Sequence, residues 1–226
     1  MNKIINKLII EKCFVCSTTL TSRPKLVCSK IKIVPEGLDR ATEVKTSIYR
    51  CKACKSFSCR QLQNQKDYSE SLCYEASKKT LENSNKFYPY SSDLLPNKIK
   101  KFIKQNTFVD FGCGAGFFTK QLKNHVKKVI GVDLDPSGIN NLRKNNIESY
   151  VGDTKLLRKL EFNSLSVVGV LEHFENPLEF LSEISELLPK KNAVVLIYYP
   201  NTSSLSCFLS QFNSHNWDMF LEPGHF

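Results

Sequence analysis

Short apolar runs alternate with amphipathic segments between residues 107 and 199. Apolar side chains in the longer segments recur every three or four residues, which predicts helices over 116–125, 136–145 and 177–188. The apolar runs predict five strands, over 107–111, 128–133, 147–151, 165–170 and 193–199. Apolar strands that alternate with helices are typical of a parallel sheet covered on both faces. The predicted fold class is therefore α/β, a doubly wound and mostly parallel sheet.

The pattern before residue 107 is less regular. Segments 25–34 and 46–50 are predicted as strands, and residues 61–90 are polar, with Ser, Asn, Gln and Lys dominating. An amphipathic helix is predicted over 93–105, and its apolar face carries Leu95, Ile99, Phe102 and Ile103. We therefore expect three parts: a small module over 1–62, a connector over 63–90 and the α/β domain over 91–226.

The composition of the 226 residues, 41% hydrophobic and 24% charged, excludes collagen and low-complexity disorder. No apolar run approaches the roughly 20 residues that a membrane-spanning helix needs. Residues 1–13 lack the continuous apolar stretch and the small-residue cleavage site of a secretory signal. The sequence therefore predicts a soluble cytoplasmic protein with no membrane span.

The formal net charge of +10 is unevenly distributed along the chain. Residues 1–107 hold 21 Lys and Arg against 9 Asp and Glu, or +12, whereas residues 108–226 hold 11 against 13, or −2. A basic half that meets an anionic partner and a drift in composition both explain this asymmetry. No block of five or six like charges is present, so a nucleic-acid partner is only weakly supported.

The cysteines form two CxxC pairs, Cys13 with Cys16 and Cys51 with Cys54. Each pair can bring two thiolates to one Zn²⁺, and two pairs complete a tetrahedral shell. The strands between them predict a zinc-ribbon-like module, in which Cys28 and Cys59 are rival ligands. Unligated cysteines at chance spacing and redox chemistry are the two alternatives.

Glycines occupy every second position in the turn after the first predicted parallel strand, at Gly112, Gly114 and Gly116. They let the backbone approach a ligand closely, and ligands in such sheets bind beyond the carboxyl ends of the strands. Phe117 stands where a dinucleotide fingerprint has its third glycine, and the Gly-Lys-Ser/Thr of a P-loop is missing. A cofactor without a pyrophosphate is therefore favoured.

Acidic residues follow the strands beside this turn. Asp133 ends the second parallel strand, where a carboxylate can accept hydrogen bonds from both hydroxyls of a ribose. Asp153 follows the third strand. The alternative for each is that it caps the next helix.

Because it carries these residues in this order, the segment 108–200 resembles the class I S-adenosylmethionine-dependent methyltransferases, which have a Rossmann-like fold. The resemblance rests on five motifs in order: FVDFGCGAG at 108–116, VD ending at Asp133, GD at 152–153, LEHF with NP at 171–177, and PN at 200–201. It implies S-adenosylmethionine as the cofactor and methyl transfer as the reaction.

The resemblance also implies roles for single residues. Gly112, Gly114 and Gly116 pass close to the methionine and ribose portions of the cofactor. Asp110 organises the loop and reaches the methionine amino group through water. The ribose hydroxyls, the adenine face and the adenine amino group are then contacted by Asp133, Leu134 and Asp153, respectively.

Glu172 and His173 are the candidates for a catalytic base, since they follow the fourth parallel strand and His titrates near neutral pH. The alternative is that the pair anchors the following turn. Some ubiquinone-type O-methyltransferases that the run resembles bind a metal with an acid three residues before the Glu. That position is Gly169 here, so the resemblance does not extend to a catalytic metal.

The N-terminal module resembles the four-cysteine zinc modules that precede the methyltransferase domain in several bacterial enzymes, including C-methyltransferases of nucleotide-linked deoxysugars. Lys55 stands where those modules usually have glycine. The end of the sequence resembles the loop after the fifth strand. The resemblance leads us to expect a shortened domain, without the further helix and strand pair. Its exposed edge strand then predicts a homodimer or poor solubility.

Two functions follow from these observations. The first is methyl transfer from S-adenosylmethionine to a small molecule or a glycan precursor. The alternative is a zinc-containing, S-adenosylmethionine-binding module that binds RNA or protein, or a methyltransferase that acts on nucleic acid or protein. Turnover of nucleotide-sugars would favour the first, and a steep loss of RNA affinity with salt would favour the second.

Overall fold

The computed structural model describes residues 11–13, 15–20, 26–33, 42–62, 95, 97–174, 176–199 and 201. Contacts divide these residues into two compact units. The first holds the described residues up to 62 together with 172–181, and the second holds 95–171 together with 182–199. The described helices are all too short or too polar to cross a membrane.

The first unit contains a three-stranded antiparallel sheet, formed by β1 (Leu26–Ile33), β2 (Thr42–Arg50) and β3 (Phe57–Leu62) in that order. The two predicted strands are confirmed, although β2 begins four residues earlier than expected. β3 was not predicted, because its sequence FSCRQL has no apolar run. Its pairing with β2, from Arg50 opposite Phe57 to Lys45 opposite Leu62, supplies the backbone partners that make it a strand.

The second unit begins with α1 (Asn97–Ile103) and then alternates strands and helices. The strands are β4 (Thr107–Phe111), β5 (Lys128–Asp133), β6 (Glu148–Val151), β7 (Ser164–Val168) and β8 (Val195–Tyr198). The helices that follow along the chain are α2 (Phe117–Lys123), α3 (Pro136–Lys144), α4 (Thr154–Leu157) and α5 (Pro177–Leu187), and a 3₁₀ turn covers Leu171–His173. Residues 172 and 173 of that turn and residues 177–181 of α5 belong to the first unit. All five predicted strands and the three helices predicted after residue 107 are confirmed, with ends that move by up to two residues. The helix predicted over 93–105 is observed over Asn97–Ile103.

The five strands form one parallel sheet in the order β6-β5-β4-β7-β8. The chain moves outward from β4 to β6 and then returns to the other side of β4 at β7. This reversal between β4 and β7 is the point where ligands bind in open α/β sheets, beyond the carboxyl ends of the strands. The sheet confirms the doubly wound Rossmann-like fold class.

The core of the second unit packs α1, α2 and α3 against β4 and β5. Its most buried members are aliphatic and aromatic side chains that the predicted pattern places inward: Leu95, Ile103, Phe108, Leu122, Val129, Leu142 and Ile147. Phe102 is a correction to the predicted apolar face of α1, because 77% of its side chain is exposed. Ile99 and Ile103 lie one helical turn apart and form a narrow apolar stripe on α1. Phe102 lies outside this stripe and faces solvent.

Candidate functional site

The loop from Gly112 to Gly116 connects the carboxyl end of β4 to α2. Its three glycines have φ angles of +70°, +49° and +81°, which lie in the left-handed region that favours glycine. The backbone N–H groups of Gly112 and Cys113 donate to the Val132 carbonyl, at 2.8 and 3.2 Å. These two bonds hold the loop against the end of β5, the neighbouring strand.

The space around the three glycines differs. A Cβ on Gly112 would collide with the side chain of Val170, and a Cβ on Gly116 would collide with Leu142. A Cβ on Gly114 would meet no atom within 4 Å. Gly112 and Gly116 therefore serve close packing, whereas the side of Gly114 that would carry a Cβ is open to an approaching molecule.

Asp133 ends β5 directly beside this opening. Its carboxylate accepts hydrogen bonds from the backbone N–H of Gly114 at Oδ2, at 2.7 Å, and from that of Asp135 at Oδ1, at 2.8 Å. Only 8% of Asp133 is exposed. Each carboxylate oxygen has two acceptor sites, so the side chain is held in one orientation and can accept further hydrogen bonds.

Asp110 lies in β4 below the loop and is 1% exposed. Its carboxylate accepts hydrogen bonds from the hydroxyls of Thr119 on α2, at 2.5 Å, and Ser166 on β7, at 2.7 Å. The side chain thus connects β4, α2 and β7. The role of Asp110 in organising the loop stays a prediction.

Burial raises the pKa of both carboxyls. It raises the pKa of Asp110 to about 6, against the lowering effect of the Thr119 and Ser166 hydroxyls, and the charge of Asp133 adds to the rise. The pKa of Asp133 is also raised by burial, although backbone N–H donors oppose the rise. Two buried carboxyls next to an opening make a site that favours hydrogen-bond donors and cations over phosphates.

Exposed apolar side chains lie next to Asp133 in the sheet. Leu134 is 51% exposed, and Val151, which pairs with Asp133 across the β5–β6 register, is 49% exposed. Such side chains at the carboxyl ends of two strands can pack against the flat face of an aromatic ring.

Asp153 begins α4, where its Oδ1 accepts a hydrogen bond from the Lys155 backbone N–H at 3.0 Å. The helix-capping role is therefore present in the structure, and the adenine contact stays a prediction. Glu172 and His173 lie in the 3₁₀ turn that follows β7 in the chain. Within the described part of the chain, Glu172 Oε2 is shielded from solvent and has no hydrogen-bond partner.

Several residues that support the loop were missed by the sequence reasoning. Asp135 caps α3, because its carboxylate accepts from the backbone N–H of Ser137 at 2.8 Å. The Asp-Pro-Ser order was a readable signal for such a cap. Thr119 and Ser166 carried no signal, since their hydroxyls reach Asp110 only through the tertiary fold. Gly138 is needed because a Cβ there would collide with the Gly114 carbonyl.

The four cysteines of the two CxxC pairs meet in the first unit. Their Sγ atoms all lie within 4.8 Å of one another. Cys13 Sγ is 3.7 Å from Cys54 Sγ, and Cys16 Sγ is 3.6 Å from Cys51 Sγ. The side chains of the rival cysteines, Cys28 and Cys59, lie outside the described residues.

Each pair sits in a tight turn, which we call a knuckle. The backbone N–H of Ser17 donates to the Cys13 carbonyl at 2.9 Å, and that of Lys55 donates to the Cys51 carbonyl at 3.1 Å. Ser17 and Lys55 have φ angles of +57° and +64°, although neither is glycine. The first knuckle is closed by the Lys12–Thr19 bridge, and the second is the β2–β3 turn.

The sulfur geometry fits a tetrahedral zinc ion. Four sulfurs at about 2.3 Å from one tetrahedral ion lie about 3.8 Å from one another. This is close to the distances of 3.7 and 3.6 Å between the paired sulfurs. Four thiolates are also the donor set that structural zinc prefers. These four residues can therefore hold zinc.

Comparison with known proteins agrees with this geometry. The family described as "Methyltransferase domain" matches residues 83–226, which is more than half of the chain. A mitochondrial ubiquinone biosynthesis O-methyltransferase from Dictyostelium discoideum is 22% identical over 163 residues, covering 59% of this chain and 51% of that protein. A ubiquinone biosynthesis O-methyltransferase from Pelagibacter ubique is 25% identical over 141 residues, covering 54% and 58%.

A solved SAM-dependent methyltransferase from Archaeoglobus fulgidus is similar with a TM-score of 0.46 and 22% identity, covering 57% of this chain and 56% of that one. The chain spans about half the length of the curated relatives that it matches. The family match extends over the glycine loop, Asp133 and all five parallel strands. The chain belongs to the methyltransferase domain family.

Proposed function

We propose that the loop from Gly112 to Gly116 binds S-adenosylmethionine and that Asp133 accepts hydrogen bonds from the ribose hydroxyls. The observation that carries this proposal is the fixed carboxylate of Asp133 beside the open face of Gly114. Two backbone N–H groups hold the carboxylate in place, so little conformational entropy is lost when a ribose binds. A pyrophosphate at the same place would meet two buried carboxyls and be repelled.

The other parts of the cofactor follow from this placement. With the ribose at the end of β5, we assign the adenine face to Leu134, whose side chain is exposed. Asp153 would contact the adenine amino group. The methionine part then extends over the glycine loop, where Asp110 acts on its ammonium group through water. A bound cation there would lower the raised pKa of Asp110.

Methyl transfer from a sulfonium is an in-line displacement. The enzyme has to align the acceptor with the methyl carbon and exclude water. If the acceptor is a hydroxyl, it also needs a base, and the candidates for this role are His173 and Glu172. A large loss of kcat in His173→Gln with unchanged affinity for S-adenosylmethionine would support this assignment.

For the acceptor we propose a small molecule or a glycan precursor. Support comes from the two ubiquinone biosynthesis relatives, which are named for a small-molecule pathway. A protein acceptor is the second candidate, because a ribosomal protein L11 methyltransferase from Tolumonas auensis is 33% identical over 99 residues, covering 42% of this chain and 34% of that protein.

We also propose that Cys13, Cys16, Cys51 and Cys54 hold one structural zinc ion within a module that spans residues 1–62. The 63–90 segment would then connect this module to the methyltransferase domain at 91–226. Metal analysis should find one zinc per chain, and Cys13→Ser or Cys51→Ser should lose it. Cys113→Ser keeps all four ligands and is the control, so a loss of zinc in Cys113→Ser would contradict the assignment.

Calorimetry with S-adenosylmethionine tests the cofactor site. Asp133→Ala should weaken binding by about 1.5–3 kcal/mol, the range for hydrogen bonds to a charged group. Glu148→Gln removes an exposed carboxylate from the neighbouring strand and should leave the affinity unchanged. Equal affinity in wild type and Asp133→Ala would refute the ribose assignment.

A methyl-transfer screen then tests the acceptor. Labelled S-adenosylmethionine is offered with a panel of phenols and nucleotide-sugars, with a ribosomal protein preparation and with RNA. Transfer to a compound in the small-molecule panel supports the proposal. Transfer to the ribosomal proteins or the RNA alone would replace it with the macromolecular alternative.

A further inference from the structure

The four-cysteine cluster has a second feature, which its zinc-binding role does not require. Cys13 and Cys51 are both 2% exposed, whereas Cys54 is exposed and Cys16 is partly exposed. The two measured sulfur contacts each join a buried cysteine of one knuckle to a more accessible cysteine of the other. Each contact therefore combines a thiol that solvent can reach with one that it cannot.

We propose that this cluster is also an oxidation site, which takes two molecules of hydrogen peroxide and closes two disulfides, Cys13–Cys54 and Cys16–Cys51, across the two knuckles. A disulfide bond is about 2.05 Å long, so sulfurs at 3.7 and 3.6 Å must approach by only about 1.6 Å. A change of this size is within reach of two short surface turns.

The chemistry begins at Cys54, the most exposed of the four residues. Its sulfur attacks one oxygen of the peroxide, the O–O bond breaks, and the departing hydroxide leaves as water after taking a proton. Cys54 is then a sulfenic acid. The Cys13 sulfur attacks it, the S–S bond forms, the S–O bond breaks, and a second water leaves. Two thiols and one peroxide thus give one disulfide and two waters.

A hydroxyl accompanies each accessible sulfur. Ser56 Oγ lies 2.9 Å from Cys54 Sγ and 3.4 Å from Cys13 Sγ, so it contacts both sulfurs of the first pair. Thr18 Oγ1 lies 3.2 Å from Cys16 Sγ. These hydroxyls can donate a proton to the hydroxide that leaves, and the Cys16–Cys51 pair reacts in the same way with a second peroxide.

The crosswise pairing has a consequence for the module. Disulfides within each knuckle would leave the two knuckles unconnected once zinc is gone. The crosswise bonds instead join the Lys12–Thr19 hairpin to the β2–β3 turn, which are the same two elements that zinc would hold. The oxidised module should therefore stay folded after it has lost its metal, whereas removal of zinc from the reduced chain should unfold it.

Disulfide mapping on the full-length chain as purified tests the proposal. The chain is treated with hydrogen peroxide, free thiols are blocked with N-ethylmaleimide, and the product is digested with trypsin and chymotrypsin without reduction. Cleavage after Phe14 separates Cys13 from Cys16, and cleavage after Lys52 separates Cys51 from Cys54. Mass spectrometry of the linked peptides then identifies each pair.

We expect the Cys13 peptide to be linked to the Cys54 peptide and the Cys16 peptide to the Cys51 peptide. Cys13→Ser should let dimedone trap a sulfenic acid at Cys54. Cys113→Ser should give the same map as the wild type. Linkage of Cys13 to Cys16, linkage of Cys51 to Cys54, or sulfinic acid without disulfides would each overturn the proposal.

Discussion

Replacing Gly114 with alanine tests whether this glycine is needed for cofactor binding and not for packing of the loop. The new Cβ meets no atom within 4 Å, so the stability cost is limited to the left-handed backbone at φ +49°. That conformation costs a residue with a side chain about 1–2 kcal/mol, and lower unfolded-state entropy returns about 0.4–1 kcal/mol. The net loss of unfolding free energy should therefore be about 1 kcal/mol.

The matched variant is Gly116→Ala, at φ +81°. Its Cβ collides with Leu142, a fully buried side chain that cannot move without disturbing the core. Overpacking adds about 1–3 kcal/mol to the same backbone cost, so this variant should lose about 2–4 kcal/mol. Urea unfolding at constant m-value measures both losses.

The two variants should rank the other way for cofactor affinity: Gly114→Ala, which loses less stability than Gly116→Ala, should lose more affinity for S-adenosylmethionine. Gly114→Ala places a methyl group in the open space assigned to the cofactor, and we expect calorimetry to show at least a tenfold weaker affinity for S-adenosylmethionine. Full affinity in Gly114→Ala would show that the cofactor does not approach this face. Equal stability losses in the two variants would show that the packing argument is wrong.

Three further predictions concern other parts of the structure. The pKa of Asp110 is raised from 3.8 to about 6 by burial, so protonated Asp110 favours the folded state. The unfolding free energy should therefore fall by about 2 kcal/mol between pH 4 and pH 7, and Asp110→Asn should flatten this fall in urea titrations. Lys55 has a φ of +64°, which strains a residue with a side chain. Lys55→Gly should remove this strain and raise the temperature at which zinc is lost by a few degrees in a metal-release assay, whereas Lys55→Val should lower that temperature. In the described sheet β8 is the last strand, and Val195 and Ile197 are about 40% exposed, so we propose that β8 mediates a homodimer. Light scattering should detect a dimer, and Ile197→Lys should dissociate it. A monomeric wild type at high concentration would contradict the proposal.

The sequence determined the parallel sheet because each of its strands is a short apolar run flanked by helix or turn signals. Both observed ends of β4 and β5 coincide with the predicted ones, at Thr107–Phe111 and Lys128–Asp133. The spacing of the glycines and the position of Asp133 at the end of a strand were also sufficient to predict a ligand site there. Local backbone requirements and strand periodicity are written in neighbouring residues, which is why they could be read directly.

Other features depended on residues far apart in the chain. β3 is a strand because β2 lies beside it, and Phe102 is exposed because the core accepts only a narrow stripe of α1. Asp110 receives hydrogen bonds from Thr119, nine positions away, and from Ser166, 56 positions away. No local pattern encodes such contacts, because they arise only when separate elements pack together.

The same division applies to the two sites. The sequence identified four cysteines in two pairs, but only the fold showed which sulfur of one knuckle lies nearest to which sulfur of the other, and which of them solvent can reach. Likewise, the glycine pattern indicated close approach at three positions, and the fold assigned two of them to packing and left Gly114 open. Spacing along a chain specifies which groups can meet, whereas packing in three dimensions decides how they are oriented and how exposed they remain.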